Sequence, residues 1–500
     1  MGRKIGSILS FILIGLEIVS AIFLTPFLIR MFGQAEYGVY TLVLSITSYL
    51  TLLDLGIGNS VVKFVSAYRA NNQENELRKF EGIITSFYLL IAFISLVVGI
   101  IIIIAFPTVF AKGLTNEEII LSQRLLFITT INIALTLGTS GFLYTIVGYE
   151  NFFISKGLSI VFLLVRIVVS FVALNLGGRS ITISIINTSV TFVTRTIMIA
   201  YVLGVLKLKP TLKNVEKKEV KKVLFFSTFI FLQMLATQIN SMADSILIGI
   251  IVADASAILA VYGVGATLKS YFSMLGGAFN GVLMPGVVKL VERNATSEDI
   301  ESEMIRIGRI IFAFVGMVFC CFCVNGIQFV ELWAGDSYTD SYYVALILMS
   351  AYVVTLTQSI GTQFLWAKGQ HKEQSIIKLS IVVCNIALTI LLIHWNPLFG
   401  AVIGTFISII VGDVLVMQIL FKVKLGIRLH TYYLGLFKGI VPSLVISVAV
   451  SLLFKFVGLR GWIGFLTNCT VFVASYLACM LLFGFSKNEK KYFRTILKIK

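Results

Sequence analysis

The chain has 500 residues, of which 58% are hydrophobic and 13% charged, about half the ~25% charged content usual in soluble domains. So apolar a chain has too little polar surface to cover itself in water, which excludes a soluble globular protein. The net charge of +16 does not point to nucleic acid, because the bases lie in short segments between long apolar runs and form no continuous basic domain to hold a duplex.

Arg3 and Lys4 lead into an apolar run that extends to about Ile29, longer than the ~7–15 residues of a signal-peptide core. It contains Glu17 and Pro26 and reads as a first transmembrane helix over 6–29. Further runs near the ~20 residues needed to cross ~30 Å of hydrocarbon predict spans at 37–60, 82–105, 122–147, 157–176, 180–205, 224–251, 256–283, 308–331, 341–366, 377–395, 398–420, 439–457 and 463–484. The runs are continuous rather than alternating, so they are helices and not barrel strands. The expected fold class is therefore an all-α polytopic membrane protein of about 14 helices.

Lys and Arg set the orientation. With the N-terminus cytoplasmic, 31 of the 40 bases fall on the inner side, five outside and four within spans. An odd miscount of helices would scramble this segregation. The longest basic segment, 206–223, predicts a division into an N-terminal six-helix bundle (1–205), a cytoplasmic linker, a second six-helix bundle (224–420), two additional helices (421–484) and a basic cytoplasmic tail (485–500). A two-lobe layout is the one expected of alternating access.

A charge within the bilayer costs ~2.5–3.5 kcal/mol on insertion scales and needs a partner or a wet cavity. Those met in chain order are Glu17, Asp54, Arg166, Arg195, Asp244, Lys269 and Asp413. Asp54 and Asp413 lie near span ends, where a carboxylate can reach the interface. Polar residues accompany several of these charges at helical spacing: Gln233, Thr237, Asn240, Ser241 and Asp244 in the seventh span, Tyr262, Lys269, Ser273 and Asn280 in the eighth, Asn187, Thr191, Thr194 and Arg195 in the sixth, and Asn132, Thr136 and Thr139 in the fourth. Hydrogen bonds between helices account for much of the Ser and Thr pattern. Four charges on four helices, Arg166, Arg195, Asp244 and Lys269, argue instead for a solvated route. Cationic groups there suit an anionic substrate, since guanidinium grips pyrophosphate oxygens in pairs. The candidate substrate contacts are Arg166, Arg195, Lys269, Asn240 and Gln233; Glu17, Asp54 and Asp244 are candidate charge partners or sites for a coupling ion.

Small residues at Gly277/Gly281, Gly400/Gly404 and Gly435/Gly439 have GxxxG spacing and predict close helix crossings. The six cysteines all fall in apolar runs, and Cys320-Cys321-Phe-Cys323 lacks the second Cys/His group a metal site needs. No Walker A, HExxH, GxSxG or dinucleotide motif occurs. No catalytic residue, metal or cofactor is predicted, and the chain does not read as an enzyme.

The run Pro26-Phe-Leu-Ile-Arg30-Met-Phe-Gly33-Gln-Ala-Glu36-Tyr37-Gly38-Val-Tyr40, with Leu53-Asp54-Leu-Gly56-Ile-Gly58-Asn59 after it, resembles the opening of Wzx-type polysaccharide flippases, a branch of the superfamily that includes MATE exporters and lipid II flippases. These stretches cover roughly a tenth of the chain. The resemblance implies a MATE-like alternating-access transporter in a bacterial cytoplasmic membrane. It would move an undecaprenyl-pyrophosphate-linked oligosaccharide from the inner to the outer leaflet for surface polysaccharide synthesis. Membrane lipids, an H⁺ or Na⁺ counter-ion and a polysaccharide polymerase are the partners it implies. The competing readings are a cation-coupled exporter of small amphipathic molecules, which a carboxylate-dominated cavity would favour, and a membrane glycosyltransferase or polymerase, which would need a large loop bearing acidic or His groups.

Overall fold

The structure is a computed structural model that describes residues 2–208, 210–211, 217–293 and 295–485. The tail from 486 onward, and 209 and 212–216 of the expected linker, lie outside the described residues. The protein is an all-α polytopic membrane protein: 14 described segments are long and apolar enough to cross a bilayer, in the number and order read from the sequence.

Two compact units divide the chain, 1–260 and 261–500. The first holds α1 (Gly2–Phe32), α2 (Gln34–Ser48), α3 (Ile57–Ala70), α4 (Glu74–Val109), α5 (Asn116–Gly138), α6 (Ser140–Gly148), α7 (Phe152–Asn175), α8 (Ser180–Ala200), α9 (Lys217–Ile251) and the start of α10 (Ser256–Glu292). α9, which begins within the basic segment, packs on α2 and α3 and so belongs to the first unit. The second unit takes the rest of α10, then α11 (Ser297–Ala334), α12 (Asp340–Thr357), α13 (Ser359–Ala367), α14 (His371–Ile393), α15 (Pro397–Ile409), α16 (Met417–Leu420), α17 (Leu429–Phe437), α18 (Ile440–Phe454) and α19 (Gly461–Cys479).

α4 shows how the pattern makes the fold. Leu77, Phe80, Ile84, Tyr88 and Ile91 are buried, while Leu89, Leu90, Phe93, Ile101 and Ile104 are exposed. The buried stripe repeats at helical spacing and joins Ile57, Val61 and Val65 of α3 and Leu137, Phe142 and Ile146 of α5 and α6 in one core. The exposed face is as apolar as the core, as a helix side turned to lipid must be.

Two spans predicted as single helices are interrupted alike. The fourth breaks at Thr139 into α5 and the nine-residue α6, and the tenth breaks at Gln358 into α12 and the nine-residue α13. The sixth and twelfth spans both run into π-helical turns, Tyr201–Val205 and Ile410–Val416. Features recurring six spans apart are the mark of an internal repeat, although the sequence halves show only weak similarity. Of the glycine pairs, Gly400 and Gly404 seat α15 against α14, where a Cβ would meet the Leu392 carbonyl at 2.2 Å and Thr389 Oγ1 at 2.8 Å. Gly439 has φ +79° and sits between α17 and α18, so it makes a turn rather than a helix crossing. The side chains around Gly277, Asn280 and Gly281 lie outside the described residues.

Candidate functional site

The motif-bearing second span is a broken helix. α2 tightens into a 3₁₀ turn, Tyr49–Asp54, and then Leu55 (φ 51°) and Gly56 (φ 68°) adopt the left-handed conformation before α3 begins at Ile57. Two such residues in succession stop the helix, and glycine at the second lowers the steric cost. The break turns the backbone N–H groups of Gly56 and Gly58 onto the Asp54 carboxylate. Tyr88 of α4 donates its hydroxyl to Asp54 Oδ1 at 2.9 Å. Asp54 is 9% exposed, so its carboxylate is buried against protein although it stands near a predicted span end. It is held inside the unit by donors from α4, from α3 and from the left-handed turn between the 3₁₀ segment and α3.

Tyr144 of α6 completes this cluster. Its ring lies 6.3 Å from the Tyr88 ring and over Gly58, where a Cβ would stand 2.1 Å from its Cζ; only glycine leaves room for it. Tyr144 lies within the electrostatic reach of both Asp54 and Arg195. Arg195, on α8, has its Nη1 buried with no hydrogen-bond partner among the described residues. Each N–H of a guanidinium is a strong donor, and a buried one left unmade is costly. Arg166, on α7, is half-buried and close enough to influence the Tyr40 hydroxyl of α2. Among the described residues it makes no ion pair or hydrogen bond.

The other predicted residues separate. Asp244 is 1% exposed and lies near Tyr49; it and Asn240 are both engaged with neighbours. The Gln233 side chain lies outside the described residues. Glu17 is exposed on α1 and is not gathered into the Asp54 cluster. Lys269 belongs to the second unit, where its Nζ stands 4.9 Å from the centre of the Tyr352 ring, a cation–π contact. Asp413, in the π-helical turn, meets Lys378 of α14 through both carboxylate oxygens, at 2.6 and 2.7 Å, so it is an ion-pair partner. The Asn132 stripe is likewise occupied between helices: its amide donates to Thr188 Oγ1 at 3.4 Å and it accepts from Thr191 at 3.5 Å.

Three further acids hold structural contacts, Glu36 partly buried and Glu301 and Glu81 buried. Glu36 of the motif accepts from the Ser180 backbone N–H at 3.0 Å and from the Ser180 hydroxyl at 2.5 Å, and Arg179 pairs with it at 3.3 Å. It thereby caps α8, the helix that carries Arg195. Glu301 receives the backbone N–H of Arg428 at 2.8 Å and its Nε at 3.4 Å. Glu81, 1% exposed, lies one residue before the predicted third span, which begins at 82. The signal was present, since 77, 80, 81, 84 and 88 share one helix face.

Residues 2–291 match a family described as "Polysaccharide biosynthesis protein". Among solved structures, the chain is similar to the lipid II flippase MurJ in an inward closed conformation, with TM-score 0.71 and 17% identity over 99% of this chain and 100% of that one. It is also similar to an inward-facing multidrug resistance MATE family transporter of the MOP superfamily, with TM-score 0.63 and 14% identity over 82% and 94% of the two chains. The MATE multidrug transporter DinF-BH in complex with R6G gives TM-score 0.61 and 14% identity over 84% and 95%. No curated protein sequence matches. At such identities the structures establish the fold, which is that of MurJ and the MATE transporters.

Proposed function

Because the chain belongs to the polysaccharide biosynthesis protein family and has a transporter fold, we propose that it carries an anionic lipid-linked saccharide, an undecaprenyl-pyrophosphate oligosaccharide, from the inner to the outer leaflet of a bacterial cytoplasmic membrane. Both termini face the cytoplasm in this reading, and alternating access moves the head group while the prenyl tail stays in lipid. The observation that carries it is the buried Arg195 Nη1, which has no acceptor among the described residues. The acid of that cluster, Asp54, is already served by Tyr88 and two backbone amides, so positive charge is left over. A pyrophosphate oxygen supplies the missing acceptor. Arg166 and Lys269 give further cationic contacts, and Asn240 and Gln233 meet sugar hydroxyls. H⁺ or Na⁺ coupling and a polymerase partner belong to the same proposal.

The test is reconstitution into liposomes with a labelled polyprenyl-pyrophosphate saccharide, reading leaflet accessibility with and without ion gradients. Arg166→Ala, Arg195→Ala and Lys269→Ala are each expected to cut translocation by at least tenfold, corresponding to the ~1.4 kcal/mol that a charge-assisted contact readily provides, with insertion and abundance near wild type. Full translocation by all three variants rejects the cationic route. Movement of cationic amphiphiles in place of the saccharide would put the exporter reading in its stead.

A further inference from the structure

Glu81 is the eighth residue of α4 and is buried in the core of the first unit beside Phe80 and Ile84. Among the described residues its carboxyl has one partner, the hydroxyl of Thr145 on α6. No Lys, Arg or His among them stands within ion-pair distance of it. The same Thr145 hydroxyl also contacts the Gly141 carbonyl oxygen, at 2.9 Å. A threonine hydroxyl has one hydrogen, and here it faces two oxygens. A backbone carbonyl has no hydrogen to give. If Thr145 donates to Gly141, in the way of a helical threonine bonding back four residues, the hydrogen between Thr145 and Glu81 must come from the carboxyl.

We infer that Glu81 is a proton-carrying site: a neutral carboxylic acid that donates to Thr145 Oγ1 in this conformation and releases its proton to water when the α4–α6 contact opens. In that step the carboxyl O–H bond breaks, the electron pair stays on the carboxylate and the proton passes to a water molecule; reclosure reverses it. Burying an ionised carboxylate without a counter-charge is far costlier than burying the acid, so closure of the contact and uptake of the proton go together.

Among the described residues, the surroundings leave no other charge to balance Glu81. α3 brings Lys63, Tyr68 and Arg69, but the Arg69 guanidinium is occupied by the Tyr149 carbonyl and lies over the Tyr149 ring at 4.9 Å. α6 brings Tyr144, engaged at Gly58, and the residue after it, Tyr149, lies under Arg69. The Tyr49–Asp54 turn brings Tyr49, whose hydroxyl points to the Ile239 carbonyl, and Asp54, bound to Tyr88. On α4 itself Arg78 pairs with Glu74 at 3.9 Å and Lys79 with Glu76 at 2.8 Å. The ionisable residues of α5, Glu117, Glu118 and Arg124, stand at the opposite end of the helix pair. Thr211, whose carbonyl packs on Gly82, brings no charge.

The protonation stands apart from the transport reading; only the second measurement below rests on that reading. Infrared difference spectra of the full-length protein in lipid bilayers, titrated with pH, are expected to show a protonated-carboxyl stretching band at neutral pH. Glu81→Gln should remove this band and Thr145→Val should shift it, while Asp54→Asn leaves it in place. A band unchanged by Glu81→Gln overturns the proposal, and Glu81→Asp, if Gln fails to fold, carries the same test through a displaced band. In liposomes the wild type should translocate at different rates with and without a pH gradient, and Glu81→Gln should lose that difference. A variant that keeps the full difference overturns the release step. A wild type that moves no lipid-linked saccharide at all, with the band still assigned to Glu81, sinks the substrate reading and leaves the proton site standing.

Discussion

At the scale of single residues, Asp54, Glu81, Glu301 and Asp413 each have a hydrogen-bonding partner, whereas Arg195 Nη1 has none among the described residues. Asp54 illustrates the acids. Replacing Tyr88 with Phe removes the donor at 2.9 Å and little volume, leaving the carboxylate on the Gly56 and Gly58 amides. Polar contacts between membrane helices average ~0.6 kcal/mol and reach ~1.7; this one involves a buried acid, so a loss near the upper figure is expected in unfolding measured in lipid or mild detergent. No loss would mean that the Tyr88 contact carries no weight. The sequence exposed which residues were charged and their approximate depth, because apolar runs measure depth directly. It did not expose pairing: Lys378 and Asp413 are 35 positions apart, and nothing in either local stretch announces the other. Glu81 was missed for a related reason. Hydropathy fixes where the oily part of a span begins, whereas the helix continues past it and buries residues through neighbours the sequence does not name.

At the scale of elements, the motif that carried the family resemblance is a set of backbone devices. Gly33 (φ +77°) separates α1 from α2, Glu36 caps α8, and Gly38 lets the backbone of α2 approach the start of α10. A Cβ at Gly38 would lie 1.9 Å from the Ser256 carbonyl oxygen, whereas one at Gly15 would meet nothing within 4 Å. Gly38→Ala is therefore expected to cost ~1–3 kcal/mol or more by overpacking and to lower the amount of folded protein in the membrane. Gly15→Ala should leave both unchanged, within ~0.5 kcal/mol. Equal abundance of the two variants would remove the close approach as an explanation for the glycine. The Leu53–Asn59 stretch was legible as a motif but not as a broken helix, since Leu55 in a left-handed conformation violates its own preference and is held there by tertiary contacts.

At the scale of the whole molecule, long-range ties fix the ends of helices that lipid alone would leave loose. Arg309 of α11 donates to the carbonyls of Gly435 and Lys438 at 2.7 and 2.8 Å and to that of Gly484 at 2.9 Å, joining the end of α17 to the segment that follows α19. Arg306, three positions before it, is largely exposed and pairs with Glu303 on the same helix. Arg309→Ala should lower stability by about 1.5–3 kcal/mol and raise protease sensitivity around 430–440. Arg309→Lys should rescue only part of it, because an ammonium cannot span three carbonyls as a planar fork does. Arg306→Ala should fall within the ~0–1 kcal/mol of a surface pair; a comparable loss in both variants would show that general charge, not the carbonyl clamp, matters.

The sequence by itself determined the solvent, the helical class, the 14 crossings and the separation of basic from neutral segments, because a bilayer imposes a length and a polarity that every span must meet on its own. The tertiary structure alone decided which spans are broken, which acids are paired and which are buried alone, and that Arg195 keeps an unmatched donor. Those outcomes depend on which helix faces come together, and a face becomes a partner only after the chain has packed.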